Sequence, residues 1–365
     1  MTKEQILAAT EYTATLLLSL HHGEEPLPLP EGITFADVCR VSSKHSWAPA
    51  AYAALGNLIG ESDLPDTLRK LWARELDMAM IQQVHHTTAF AALTSAFTEA
   101  QIPFLPIKGF IIKALWKRPE LRTMADMDVV VSPEDFDRAG DILLSLGYTA
   151  GHEDDIHTLS YTKGKFIHVE LHKMLYDGAT QSFGDWTPKA DNPYWYEMSY
   201  PDLVSFLLRH AYKHYESGGC GLRTVFDLYL LFERYGSPET IPGFMDRLDR
   251  EGLGEFTEII LLLIERWFMN IPHPEVDEAA MYIATGGVYG TFENSLSYSI
   301  KKRGGKLRHL LHRIFPPYKE IAARYKWVAK CPILLPIAYV VRIFTAIFDR
   351  RSYHELERVR GNNEK

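Results

Sequence analysis

Apolar positions recur at helical spacing over residues 3–22 and again from about 63 to 99, where the second stretch has one opening proline and no glycine. The spacing predicts two helices, with the proline-rich segment EEPLPLPEGITF between them as a connector. The period then shortens. IPFLPI, beginning at Ile102, predicts a strand ahead of Lys108 and Gly109, FIIKALW a short helix, and MDVVVS a buried strand. Ser132-Pro133-Glu134-Asp135 predicts a helix start with Ser132 as N-cap and Pro133 at the first helical position, running to Leu146 and stopping at Gly147. HTLSYTKGKFIHVELHK alternates around Lys163-Gly164-Lys165 and predicts a hairpin. From Pro201 onward DLVSFLLRHAYKHY, TVFDLYLLFERYG and FTEIILLLIERWF each carry a helical apolar stripe. The expected class is α+β: an N-terminal helical domain over 1–100, a compact core with a sheet over 101–195, and a C-terminal helical region over 196–365.

With 365 residues, 46% of them hydrophobic and 24% charged, the chain is long enough to bury several packed layers. Cys39, Cys220 and Cys331 are odd in number and far apart, which fits neither a disulfide framework nor a zinc site and points to a reducing cytoplasm. Glu4 and Glu11 lie ahead of the N-terminal apolar patch, which therefore does not read as a secretory leader. The net charge of −8 hides an asymmetry: residues 301–351 hold 13 Lys and Arg against Glu320 and Asp349, a local +11 that leaves −19 for the rest. Any contact with an anionic surface is expected to be local to that segment. Within it, CPILLPIAYVVRIFTAIF has the length of a spanning helix. Pro332, Pro336 and Arg342 argue against spanning, since a mid-bilayer Arg costs about 2.5 to 3.5 kcal/mol. A buried globular helix is the first expectation there, and a peripheral membrane contact through 301–351 the second.

The candidate chemistry is acidic. Asp126 and Asp128, two apart on a predicted strand, project from one face. In FIHVELHK, Val169 and Leu171 point one way and His168, Glu170 and His172 the other, so a neighbouring strand can present Glu170 beside the aspartate pair. Three crowded carboxylates raise one another's pKa unless a divalent cation neutralises them. Magnesium, with manganese as a substitute, suits an open oxygen-donor site completed by substrate phosphates. An Asp-x-Asp pair alone is more often structural; the order of Lys108-Gly109, Arg122, the Asp pair and Glu170 is what adds weight.

That order, read as IKG, LRTMADMDVVV and VELHK, resembles the uncharacterised nucleotidyltransferases of the polymerase-β superfamily, closely over Ile102 to Lys173 and more loosely through HAYKH and LRTVFDLYLL. The resemblance implies a small mixed-sheet nucleotidyltransferase core, with Asp126, Asp128 and Glu170 as catalytic and metal-binding carboxylates. It also implies that Gly109 lets a nucleoside triphosphate approach the backbone. Lys108 and Arg122 are the candidate cations for that triphosphate, ATP included. Lys108-Gly109 stands where the superfamily usually has Gly-Ser, and the interval from Gly109 to Asp126 is longer than the common one. His172, with His210 and His214 four apart on one helical face, and Arg223 with Asp227, are candidates for the acceptor side. For each, packing or an ordinary helix salt bridge is the competing reading. The implied reaction is transfer of a nucleoside monophosphate to an acceptor that is a small molecule, a protein side chain or an RNA end. The alternative is an inactive scaffold docked on a membrane or a polymer-synthesis partner through the basic segment. That alternative overtakes the first reading if the carboxylates are spread apart or if the site is filled by a salt bridge with Lys108.

Overall fold

The computed structural model describes residues 1–59, 64–155, 157–176 and 182–348. Contacts divide the chain into two compact units, Met1–Thr291 and Phe292–Lys365.

The first unit opens with α1 (Lys3–His22), α2 (Phe35–Lys44), α3 (Ala48–Leu55) and α4 (Asp66–Glu99). Thr2 with Gln5 and Thr34 with Asp37 close capping boxes that satisfy the first free amides of α1 and α2. α1 stops at Gly23, whose φ of 76° lets its N–H return to the carbonyl of Ser19. α1 to α3 and the first turns of α4 bury Tyr12, Leu16, Val38, Leu55 and Trp72 in one cluster. The far end of α4 turns Phe90, Leu93 and Phe97 toward a sheet.

That sheet is built from β1 (Phe104–Ile107), then α5 (Gly109–Lys113), β2 (Met127–Val131), α6 (Phe136–Ser145), β3 (Thr149–Asp155), β4 (Thr158–Lys163), β5 (Ile167–His172), β6 (Thr187–Lys189) and β7 (Asn192–Glu197). Its seven strands run in the order β3-β4-β5-β2-β1-β7-β6. It is mixed: β2 pairs antiparallel with β1 and parallel with β5, and β1 pairs parallel with β7. β4 and β5 form the expected hairpin, turning at Gly164. Strand periodicity divides β2 between two cores. Met127, Val129 and Val131 pack with Val169 and Leu171 against Phe90, Leu93 and Phe97. Val130 packs with Leu105 and Ile107 on the other face, under Phe206. Phe206 belongs to α7 (Tyr200–Glu216), which is followed by α8 (Gly221–Tyr235), α9 (Phe244–Arg250), α10 (Gly254–Phe268) and α11 (Asp277–Gly286).

Three local readings change. Ser132 to Asp135 form a turn in which the amide of Asp135 donates to both the hydroxyl and the carbonyl of Ser132, so α6 begins at Phe136 rather than Pro133. Asp126 lies just before β2, not in it. The segment read as a helix from about 63 begins at Asp66, and residues 60–63 lie outside the described residues.

The second unit contains α12 (Phe292–Lys302), α13 (Lys306–Ile314), α14 (Tyr318–Arg324), α15 (Lys326–Lys330) and α16 (Leu335–Phe348). Ile321, Val328 and Ala338 form its small core. Among the described side chains of α16, Ala338 is buried while Ile337 and Val340 are more than half exposed, so this stretch of the helix is not buried all round. No described helix is long and apolar enough to cross a membrane. Asp349, Arg350 and Arg351, the end of the basic segment, lie outside the described residues.

Candidate active site

Asp128 sits opposite Ile107 of β1 and opposite Glu170 of β5. Residues paired across neighbouring strands present their side chains to the same face. The register therefore puts Asp128 and Glu170 side by side on the sheet face that α7 covers, and His172 follows two residues on. Glu170 Oε2 lies 3.5 Å from His172 Nε2, which is 2.9 Å from Asp128 Oδ1. His172 Nδ1 is 3.1 Å from the Thr158 hydroxyl on β4, so the ring is gripped at both nitrogens. Asp128, Glu170 and His172 each offer a ligand atom, all within 4.8 Å of one another.

Lys108, between β1 and α5, has φ 55°, a left-handed value uncommon outside glycine. Its ammonium lies 2.5 Å from Asp128 Oδ1 and 3.9 Å from Glu170 Oε2. Burial alone would lower its pKa, but Asp128, Glu170 and Asp126 together hold it above the ordinary lysine value. Burial would likewise raise Asp128, yet His172 and Lys108 hold that carboxyl well below the usual range. His172 itself is raised, because its bonds to Asp128 and Glu170 outweigh burial. The mutual repulsion expected of three acids falls on Asp126. Burial first, then the charges of Asp128 and Glu170, push it up to about 6.

Arg122 is not free for a ligand. Its Nε and Nη2 donate to Asp227 at 2.9 and 2.7 Å, and its Nη1 donates to the Gly109 carbonyl at 3.2 Å. Trp116 Nε1 adds a third bond to Asp227 at 3.1 Å. The missing side chain of Gly109 makes room for this arrangement, since a Cβ there would meet Arg122 Nη1 at 3.1 Å and Met124 Cβ at 3.4 Å. Arg223 does not form the i,i+4 pair with Asp227 that its spacing allows. It donates to the Thr123 carbonyl at 2.7 Å, which ties α8 to the loop entering β2.

His210 and His214 stack edge to face on α7, 4.6 Å apart. Burial first, then the charge of Lys108, push both below the ordinary histidine value, His210 to about 3. Both are neutral near pH 7, and among the described residues no third metal-ligating side chain joins them. His168 is exposed.

The sequence did not single out Thr158 or Lys113. Thr158 carries no signal before β4 and β5 are aligned. Lys113 does carry one, as the single charge in FIIKALW, and it is only 6% exposed.

The profile of a family described as uncharacterised nucleotidyltransferase matches residues 31–269, which contain every candidate named above. The chain is similar to the antibiotic-resistance factor ANT(2'')-Ia in its solution structure at 14% identity and TM-score 0.36, over 52% of this chain and 99% of that one. It is similar to a crystal structure of ANT(2'')-Ia in complex with adenylyl-2''-tobramycin at 14% identity and TM-score 0.36, over 48% of this chain and 97% of that one. Comparison with curated proteins gives no match.

Proposed function

The chain belongs to the uncharacterised nucleotidyltransferase family, and we propose that it transfers a nucleoside monophosphate from a nucleoside triphosphate to an acceptor hydroxyl or phosphate, releasing pyrophosphate. The observation that carries this reading is the pairing of Asp128 with Glu170 on adjacent parallel strands, with Asp126 beside them at a pKa of about 6. Lys108 contributes one positive charge against three carboxylates, too little to return Asp126 to the ordinary carboxylate range. The donor set fits a hard divalent cation: Asp126, Asp128 and Glu170 would hold magnesium or manganese. When bound, such an ion polarises the α-phosphate and stabilises the leaving oxygen.

The acceptor oxygen forms a bond to the α-phosphorus while the bond from that phosphorus to the α,β-bridging oxygen breaks, and pyrophosphate leaves with the electron pair. Glu170, whose side chain is 28% exposed against 2% for Asp128, is the carboxylate able to reach an acceptor and take its proton. His172, fixed by Thr158, orients Asp128. His210 and His214, both within reach of the Lys108 charge and lowered in pKa by burial, are the side chains for the acceptor side, where they add no charge. The free cysteines Cys39, Cys220 and Cys331 support a cytoplasmic setting.

The Lys108–Asp128 bond supports a second reading, in which the ammonium seals the site and the protein is a scaffold. Incubating the protein with magnesium, cell extract and triphosphates labelled at the α or the γ phosphate separates the two. Nucleotidyl transfer predicts that α label alone reaches an acceptor, and that Asp128→Asn and Glu170→Gln abolish it. Movement of γ label would mean a kinase, and no magnesium-dependent transfer or triphosphate binding would leave the scaffold.

A further inference from the structure

Beside the carboxylates lies a bank of cations, Lys113 and Arg122 buried and Arg223 partly so, that the reaction as described does not use. Lys113 is 6% exposed, and among the described residues no carboxylate lies within 4 Å of its ammonium. Arg122 is 7% exposed and spends its guanidinium on Asp227 and Gly109. Arg223, one helical turn from Asp227 on α8, has a backbone carbonyl and no carboxylate at bonding distance. These residues share one neighbourhood. Arg122 touches the first residue of α5, of which Lys113 is the last, and it grips α8 four residues beyond Arg223.

Lys113 and Arg223 each feel the charge of Arg122, and within the group one carboxylate, Asp227, is bonded, to Arg122, so positive charge is in excess. Glu120, which pairs with Arg118, and Asp126, whose charge reaches Arg223, offset part of that excess without forming an ion pair to Lys113 or Arg223 among the described residues. The strain is visible in the ionisation. Burial first, then Arg122, push Lys113 down to about 8, and the same two causes push Arg223 to about 10. Uncompensated cations are kept below the surface at a cost that an anionic ligand removes.

We infer that Lys113 and Arg223, on either side of the Arg122–Asp227 pair, form the pocket that takes the β- and γ-phosphates of the nucleoside triphosphate. The inference rests on nucleotidyl transfer as the reaction and revises which cations serve it. Lys108 is committed to Asp128, and Arg122 acts as a positioning residue that sets α5 and α8 at the right separation. Carboxylates on one side and bare cations on the other match the charge layout of a triphosphate whose α-phosphate faces the acids and whose tail carries the excess negative charge.

Inorganic tripolyphosphate is the probe, titrated calorimetrically into the full chain with a chelator present, so that binding through metal is removed. Wild type is expected to bind, and Lys113→Met and Arg223→Met each to weaken binding about tenfold or more, the loss of a charge-assisted contact. Lys113→Arg should retain binding, which separates lost charge from lost folding, and exposed Arg118→Met should leave it unchanged. Absence of binding by wild type, or wild-type affinity in both methionine variants, overturns the pocket. α-label transfer is read on the same preparations. Tripolyphosphate binding without transfer keeps the pocket and defeats the reaction, whereas transfer with unaltered binding in both variants defeats the pocket alone.

Discussion

His45 is fully buried at the end of α2, and its two nitrogens have opposite duties. Nδ1 accepts the amide of Leu222, and Nε2–H donates to the carbonyl of Ala284, so the neutral ring ties α2 to α8 and α11. Burial pushes its pKa down to about 4. A histidine lowered in the folded state contributes stability above its unfolded value of about 6.5, and that contribution fades as pH falls toward the folded value. The unfolding free energy from denaturant titrations should therefore fall between about pH 6.5 and pH 4 by an amount on the order of 3 kcal/mol from this residue. His45→Gln should flatten that part of the profile, and an unchanged slope would contradict the assignment. This residue was not legible in the sequence, because a lone histidine between Lys44 and Ser46 shows nothing of partners 177 and 239 positions away. The placement of Glu170 and His172 on one face was legible, since a period of two alone aligns them, whereas Asp126 falls just outside β2 and owes its place to the turn before the strand. The unequal ionisation of the carboxylates was not legible, because it depends on how deeply each is buried and on where His172 and the Lys108 ammonium come to rest.

Among the elements, α8 is held to the core by the Arg122–Asp227 bond, buried on both sides. Asp227→Ala would leave Arg122 a buried charge without its partner, and a loss of about 3 to 5 kcal/mol in equilibrium unfolding is expected. A loss within the range of surface substitutions would show that the guanidinium finds another acceptor. Sequence spacing pointed instead to Arg223 and Asp227 as a helical pair, a local reading that a longer-range, bidentate acceptor geometry overrides. Strand content was legible where burial is continuous, as in MDVVV, or alternates, as in IHVELH. β3, β6 and β7 escaped because TAGHEDD and TPK carry little apolar signal and NPYWYE is only half-buried. α2 and α3 were hidden within a helical unit whose short members carry too few turns to show a period.

For the whole molecule, the family match over residues 31–269 covers the helices around the sheet as well as the carboxylate strands. The candidate site lies in the unit Met1–Thr291, whereas the basic excess of residues 301–351 belongs to the unit Phe292–Lys365. The account depends on Asp126, Asp128 and Glu170 taking up a divalent ion together with a triphosphate, against the competing grip of Lys108 on Asp128. Manganese replaces magnesium in such oxygen-donor sites and is paramagnetic, so its binding can be followed by electron paramagnetic resonance. Titrated in the presence of a nucleoside triphosphate with a non-cleavable α,β bridge, wild type should sequester manganese, and Asp128→Asn and Glu170→Gln should release it. Equal manganese uptake by all three proteins, or none by wild type, would contradict the account.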